Sequence, residues 1–442
     1  MKLNTKILLT IVLCMLIQFF SCTTQEKSDL YEKFKKPPAE AKPFVRWWWN
    51  GNKVTPGEIR REIQVMQKAG IGGIEINPIE MPEHGNDVGI KSLNYLSPAW
   101  NDAVVTAIDE AGKQKMLVDL IIGSGWPFGG DFMSKEHTIQ GIGLNIIDLE
   151  GPGKFTAQLD SLMKKPGRER DRYEKAPPPE LFMLKLVPNE INNKTQIIDV
   201  KDNFTGKGEL ELTIPEGKFK LYAGTWQQGF REVMHGTPGA DGPVMDHFNK
   251  KAVQAYLDHF SSILTKALQG ELGEYIRSLF CDSIELSGAN WTTAFTYYFF
   301  EKYGYRIEPY LPFALYDPFA GYTGELLREA DPAFADTILR VRYDYNRALA
   351  DMYLENFVET FHTWSNENGC QSRYQAYGMP WHIDISKGNM IPDIPETNNW
   401  LFSDPYYHGF HTWNKYASSG GHLTGKQVIS SEAMTNTRGV FM

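Results

Sequence analysis

The sequence predicts an α/β protein: a (β/α)8 barrel of the TIM type, incomplete at its C-terminal end, with an antiparallel β-rich insertion. Three observations carry this. Short, nearly unbroken apolar runs alternate with capped amphipathic helices, the pattern of parallel strands covered on both faces. Between residues 138 and 225 that alternation gives way to short strands set off by Pro, Gly and charged turns. Six runs of parallel type can be counted, where a barrel has eight. An open doubly wound sheet is the alternative.

The first strand is PFVRWWWNG, residues 43–51. With a side-chain period of two, Trp47 and Trp49 share one face, and Arg46, Trp48 and Asn50 the other. Packing alone accounts for three consecutive indoles; in a barrel, Trp48 and Asn50 would reach the floor of a site while Trp47 and Trp49 stay structural. A helix follows in VTPGEIRREIQVMQKAG, with Thr55 as N-cap, Pro56 at its first position and Gly70 closing it. After the strand IGGIEINPI, the segment SPAWNDAVVTAIDEAGKQ repeats the pattern with Ser97 and Pro98, and KMLVDLIIGSGWPFGG is the third strand. Beyond the insertion come a helix in NKKAVQAYLDHFSSILTKAL, a strand in YIRSLFCDSIEL, helices through residue 369, a strand in CQSRYQAYG and a last strand in KQVISSEAMT.

The N-terminus has Lys2 and Lys6, an apolar stretch from Ile7 to Phe20, then Ser21 and Cys22: a secretory signal in form, too short for a comfortable membrane span. It resembles a bacterial lipoprotein signal that would leave Cys22 lipidated, which predicts export across the inner membrane and anchoring in the periplasm or at the outer-membrane surface. Ordinary cleavage nearby is the alternative. Residues 1–22 are thus read as the signal, 23–42 as a polar linker and 43–442 as the barrel. Cys281 and Cys370 then form one disulfide or remain two buried thiols. A formal net charge of -9 with no basic patch or tail argues against nucleic acid.

The polar residues gather at the C-terminal ends of the strands, where an α/β barrel builds its site. They are Asn50; Glu75 and Asn77; Ser124 and Trp126; Asp282 and Glu285; Arg373, Gln375 and Tyr377; and Ser430 and Glu432, with Trp291 a further ring for binding. Each has a plain structural reading: Glu75 paired with an arginine, Asp119 a buried structural acid, Arg373 bridged to Glu285. Several carboxylates at the ends of one sheet nevertheless cost energy unless a cation, a shared proton or chemistry uses them. Carboxylates with aromatic rings, in a chain without GxSxG, a Walker loop or HExxH, suggest glycoside hydrolysis.

RWWWNG with AGIGGIEI, then GSGWPFGG, GPVMDHFNKKAVQAYLDHF, DSIELSGANWT, RYQAYGMP with DIPET, and ISSEAMT, in that order from about residue 43 onward, together resemble glycoside hydrolase family 106. The resemblance implies an inverting α-L-rhamnosidase acting on plant polysaccharides such as pectin, with two catalytic glutamates and a calcium ion in the active site. Carried onto matching motifs, the glutamates are Glu396 in DIPET and Glu432 in ISSEAMT, with Glu285 in DSIEL third and the acid drawn from Glu396 or Glu432. No EF-hand-like loop accompanies the calcium. A carbohydrate-binding lipoprotein without catalysis, or a hydrolase for another sugar, are the alternatives.

Overall fold

The computed structural model describes residues 30–81, 89–205, 208–315, 327–376, 384–400 and 410–435. Cys22, Tyr377 and the signal segment lie outside these residues. Residues 30–35 form a short exposed helix ahead of the first strand.

Among the described residues, seven parallel strands form one sheet in the order β1 (Phe44–Asn50), β2 (Gly73–Ile79), β3 (Leu117–Ile121), β8 (Ser278–Cys281), β9 (Gln371–Gln375), β10 (Ile394–Trp400) and β11 (Ser430–Thr435). This is one more than the sequence count. The strand missed is β10, IPETNNW, where Pro395 and four polar residues hide the β signal. The two edge strands approach across the concave side, because Arg46 of β1 lies 2.9 Å from Glu432 of β11. The sheet is therefore a curled, incomplete barrel.

Helices cover its convex face. α1 (Pro56–Lys68) is capped by Thr55, which accepts from the Glu58 amide, and α2 (Pro98–Lys113) by Ser97, which accepts from that of Trp100. α3 (Lys250–Leu268), α4 (Phe295–Tyr303), α5 (Pro332–Tyr353) and α6 (Glu359–Glu367) follow, and α7 (Phe410–Leu423) precedes β11. Each strand sends alternate side chains into this helix layer. Trp47 and Trp49 go there, edge to face with each other at 5.5 Å, and Trp49 continues onto Trp100 of α2. Among the described residues, no helix is long and apolar enough to cross a membrane.

A second sheet, antiparallel, has the order β4 (Gln140–Gln158), β7 (Glu209–Gln228), β5 (Glu180–Pro188) and β6 (Ile198–Asp199). Leu184, Leu210, Leu212 and Leu221 give it a core of its own, while Ile142, Met183 and Tyr222 join the core of the larger sheet. Trp291 belongs to this junction. It is 6% exposed and lies 5.1 Å from both Phe182 and Phe295, so it packs between the two sheets and presents no open ring for sugar binding. Cys281 and Cys370 are free, buried thiols.

Candidate active site

The parallel register lines up the lumen-facing residues. Arg46, Glu75 and Asp119 are neighbours across β1, β2 and β3; Phe280 pairs with Arg373, Gln375 with Glu396, Glu396 with Ser430, and Asn398 with Glu432. A charge inside an otherwise apolar strand is costly to bury alone, and here each such charge meets its opposite.

Arg46 donates through Nε to Glu75 (2.9 Å) and through Nη2 to Glu396 (3.1 Å), while its Nη1 faces Glu432 at 2.9 Å and Asp282 at 3.9 Å. One guanidinium thus ties carboxylates from β2, β10, β11 and the turn after β8. Arg373 donates to Glu75 and Glu396, both at 2.5 Å, and lies 3.5 Å from Asp119. Arg277 forks onto Asp119. Arg46 and Arg373 also lie on the Phe280 ring, at 4.6 and 4.5 Å, a cation–π contact that orients both planes.

These contacts separate the acids by role. Glu396 is fully buried; burial alone would raise its pKa, but Arg373 and Arg46, with Ser430, hold it below the usual carboxylate range. A carboxyl so held is a poor proton donor. Asp282 goes the other way. Burial pushes it up to about 7 against the pull of Arg46, and the nearby Glu432 adds to the rise. Asp282 and Glu432 approach the same Arg46 Nη1, at 3.9 and 2.9 Å, and like charges so placed favour retention of a proton at Asp282.

Glu432 remains reachable, with its side chain 20% exposed. Gln375 donates to it at 2.8 Å and Asn398 at 3.4 Å, while the carbonyl oxygens of both amides, Gln375 Oε1 and Asn398 Oδ1, are buried with no hydrogen-bond partner among the described residues. Two unpaired acceptors beside a carboxylate suit the hydroxyl donors of a sugar. Asn77 turns back to Glu75 (3.0 Å). Trp48, 39% exposed, shares the Arg46 face and lies opposite Asn77 in register; the Asn50 side chain points to solvent beyond it. Trp126, half-buried, packs on His235 at 5.2 Å. Glu285 lies three residues past Asp282 and its charge acts on Arg231; Arg373 bonds Glu75 and Glu396, not Glu285, among the described residues.

Calcium needs six to eight oxygen ligands, several of them carboxylate. Among the described residues no group of three or more His, Cys, Asp or Glu side chains is arranged to hold a metal, and guanidiniums already occupy the carboxylates of Glu75, Asp119 and Glu396. The side chains described do not fit that ion.

A family model described as alpha-L-rhamnosidase, Glyco_hydro_106, matches residues 35–178 and 182–442. The chain belongs to glycoside hydrolase family 106. A protein of Formosa agariphila named "Putative beta-glucuronidase" is 24% identical over 98% of this chain and 37% of its own length. A rhamnosidase structure from Novosphingobium sp. PP1Y matches with a TM-score of 0.63 at 17% identity, over 91% of this chain and 53% of that one. The family 106 chain thus spans about half or less of the length of these relatives.

Sequence reasoning missed Arg46 and Arg277 as members of the cluster and read Asp119 only as a lone structural acid. The available signal was a charge interrupting an apolar strand, as in FVRWWW and LVDLII.

Proposed function

We propose that the chain carries the catalytic centre of an α-L-rhamnosidase, releasing terminal α-L-rhamnose from a pectin-type polysaccharide with inversion, on a TIM-type (β/α)8 barrel of which seven strands are described. The observation that carries this reading is the reachable carboxylate of Glu432 beside two amide oxygens that have no partner among the described residues, with Asp282 close to the same Arg46 guanidinium. Glu432, reachable and held by Arg46 and Gln375, activates a water as general base. The turn Asp282–Glu285 supplies the proton: Asp282 is the group whose surroundings retain one near neutrality, and Glu285 is the other carboxyl of that turn. The glycosidic oxygen takes that proton as its bond to C1 breaks, and water attacks C1 from the opposite face while losing a proton to Glu432.

The test is release of rhamnose from an aryl α-L-rhamnoside. Glu432→Gln should lower kcat by on the order of 10²–10⁴, and turnover near wild type would sink the assignment. Asp282→Asn and Glu285→Gln, assayed with leaving groups of different acidity, identify the acid. The acid's variant loses most with the poorest leaving group. Proton NMR of the first product should show the β anomer, and the α anomer first would refute inversion. The name of the Formosa relative favours a second reading, hydrolysis of a glucuronoside, and an aryl β-D-glucuronide in the same assay separates the two.

The lipid anchor at Cys22, with residues 23–42 as tether, belongs to the same proposal. Mass spectrometry of the mature N-terminus should find an acylated Cys22, and an unmodified N-terminus at a neighbouring residue would overturn it.

A further inference from the structure

A second polar cluster lies where the antiparallel sheet meets the loop after β8. Arg231 follows β7 and is only 2% exposed. Its backbone forms an antiparallel bridge with Arg172, so the two side chains leave on the same face with Cβ atoms roughly 5 Å apart, a pairing in which like charges repel. Arg231 Nη2 has only Met234 Sδ at 3.6 Å and Asp171 Oδ2 at 3.7 Å. Arg172, a third exposed, turns Nη1 to Glu169 at 3.8 Å, while Arg231 Nε and Nη1 and Arg172 Nε are buried with no hydrogen-bond partner among the described residues. Charged donors left unmade in this way cost more than almost any other buried group. Burial lowers the Arg231 pKa, and Arg168 and Arg170 add positive charge around it, with Asp171 and Glu285 opposing.

A pair of guanidiniums with three open N–H donors is complementary to a planar oxyanion whose two oxygens accept several bonds at once. Glu285, whose charge interacts with that of Arg231, belongs to the turn after β8 that also holds Asp282. Gly288, three residues past Glu285, packs on the Gly167 backbone and the Phe230 ring, so the cluster lies beside the segment that carries the proposed acid.

We propose that Arg231 and Arg172 form an anion subsite that takes the carboxylate of a uronic acid in the glycan. The glycosidase reading enters only in naming the anion as part of a glycan; the binding itself requires no turnover.

Isothermal titration with D-galacturonate and D-glucuronate, against D-galactose and D-glucose, tests it. The uronates should bind wild type and the neutral sugars should bind at least about tenfold more weakly; Arg231→Met should weaken uronate binding by about tenfold or more. Should Arg231→Met fail to fold, Arg231→Lys and Arg172→Gln carry the test, each expected to weaken uronate binding several-fold. Equal affinity for galactose and galacturonate, or uronate affinity unchanged in the folded variants, overturns the proposal. Inorganic sulfate binding as tightly as the uronates, with the same dependence on Arg231, overturns the carboxylate assignment. Wild-type turnover of a neutral aryl rhamnoside tests the glycosidase reading separately, so either can fail without the other.

Discussion

At the residue scale, burial separates Glu396 from Glu432, whose side chains are 0% and 20% exposed. Glu396 sits between two guanidiniums with a serine and an amide, and removing its charge leaves Arg46 and Arg373 partly uncompensated in the lumen. Breaking such a pair costs about 3–5 kcal/mol. Glu396→Gln should therefore lower unfolding free energy by about that amount in urea titration as well as lowering activity, whereas Glu432→Gln, at the exposed rim, should cost about 1 kcal/mol of stability and nearly all of the turnover. Two equal stability losses would contradict the separation of roles. The sequence placed Glu75, Asn77, Arg373, Gln375 and Glu432 at strand ends of one sheet, and these do converge. It did not distinguish a buried carboxylate from a reachable one, because that difference comes from partners hundreds of residues away and leaves no local pattern.

At the element scale, Asp246 links three segments. Its carboxylate accepts from Thr292 at 2.6 Å, the Phe248 amide at 3.0 Å and Gln140 at 3.4 Å, joining the start of β4, the approach to α3 and the approach to α4. Burial pushes its pKa up to about 7 despite those bonds. The folded protein thus holds a proton at Asp246 that the unfolded chain gives up near pH 4, so its contribution is fully present below about pH 4 and is lost as pH rises towards 7. The effect is on the order of a few kcal/mol. Asp246→Asn should flatten the fall in melting temperature between pH 4 and 7, and an unchanged slope would refute the assignment. Elements were legible where capping and apolar period agreed, as in α1 with Thr55 and Pro56. β10 escaped because its residues are chosen for the lumen: Glu396 and Asn398 find partners there, and Pro395 lies opposite Tyr374 in the ladder.

At the scale of the whole molecule, the antiparallel sheet serves as a wall of the larger core. Phe182 covers Trp291, and Tyr222 meets Phe313 at 5.7 Å. Replacing residues 140–228 by a short linker should leave those rings facing water and give an aggregating product, measured by light scattering after expression; a monodisperse, folded product would show the two sheets to be independent. The sequence showed a change of character between 138 and 225 but not this dependence, since neither Trp291 nor Phe182 advertises its partner. The Arg46 contacts carry a consequence for how the protein comes into being. Arg46 and Glu396 are 350 residues apart along the chain, and Glu432 is later still. A nascent chain that stops short of β10 cannot assemble the lumen, so the first strand must wait, with Glu75 as the nearby partner of its guanidinium, until β10 and β11 emerge. Contacts of that sequence separation form slowly, and the first strands are exposed to misassembly until β10 and β11 have been synthesised.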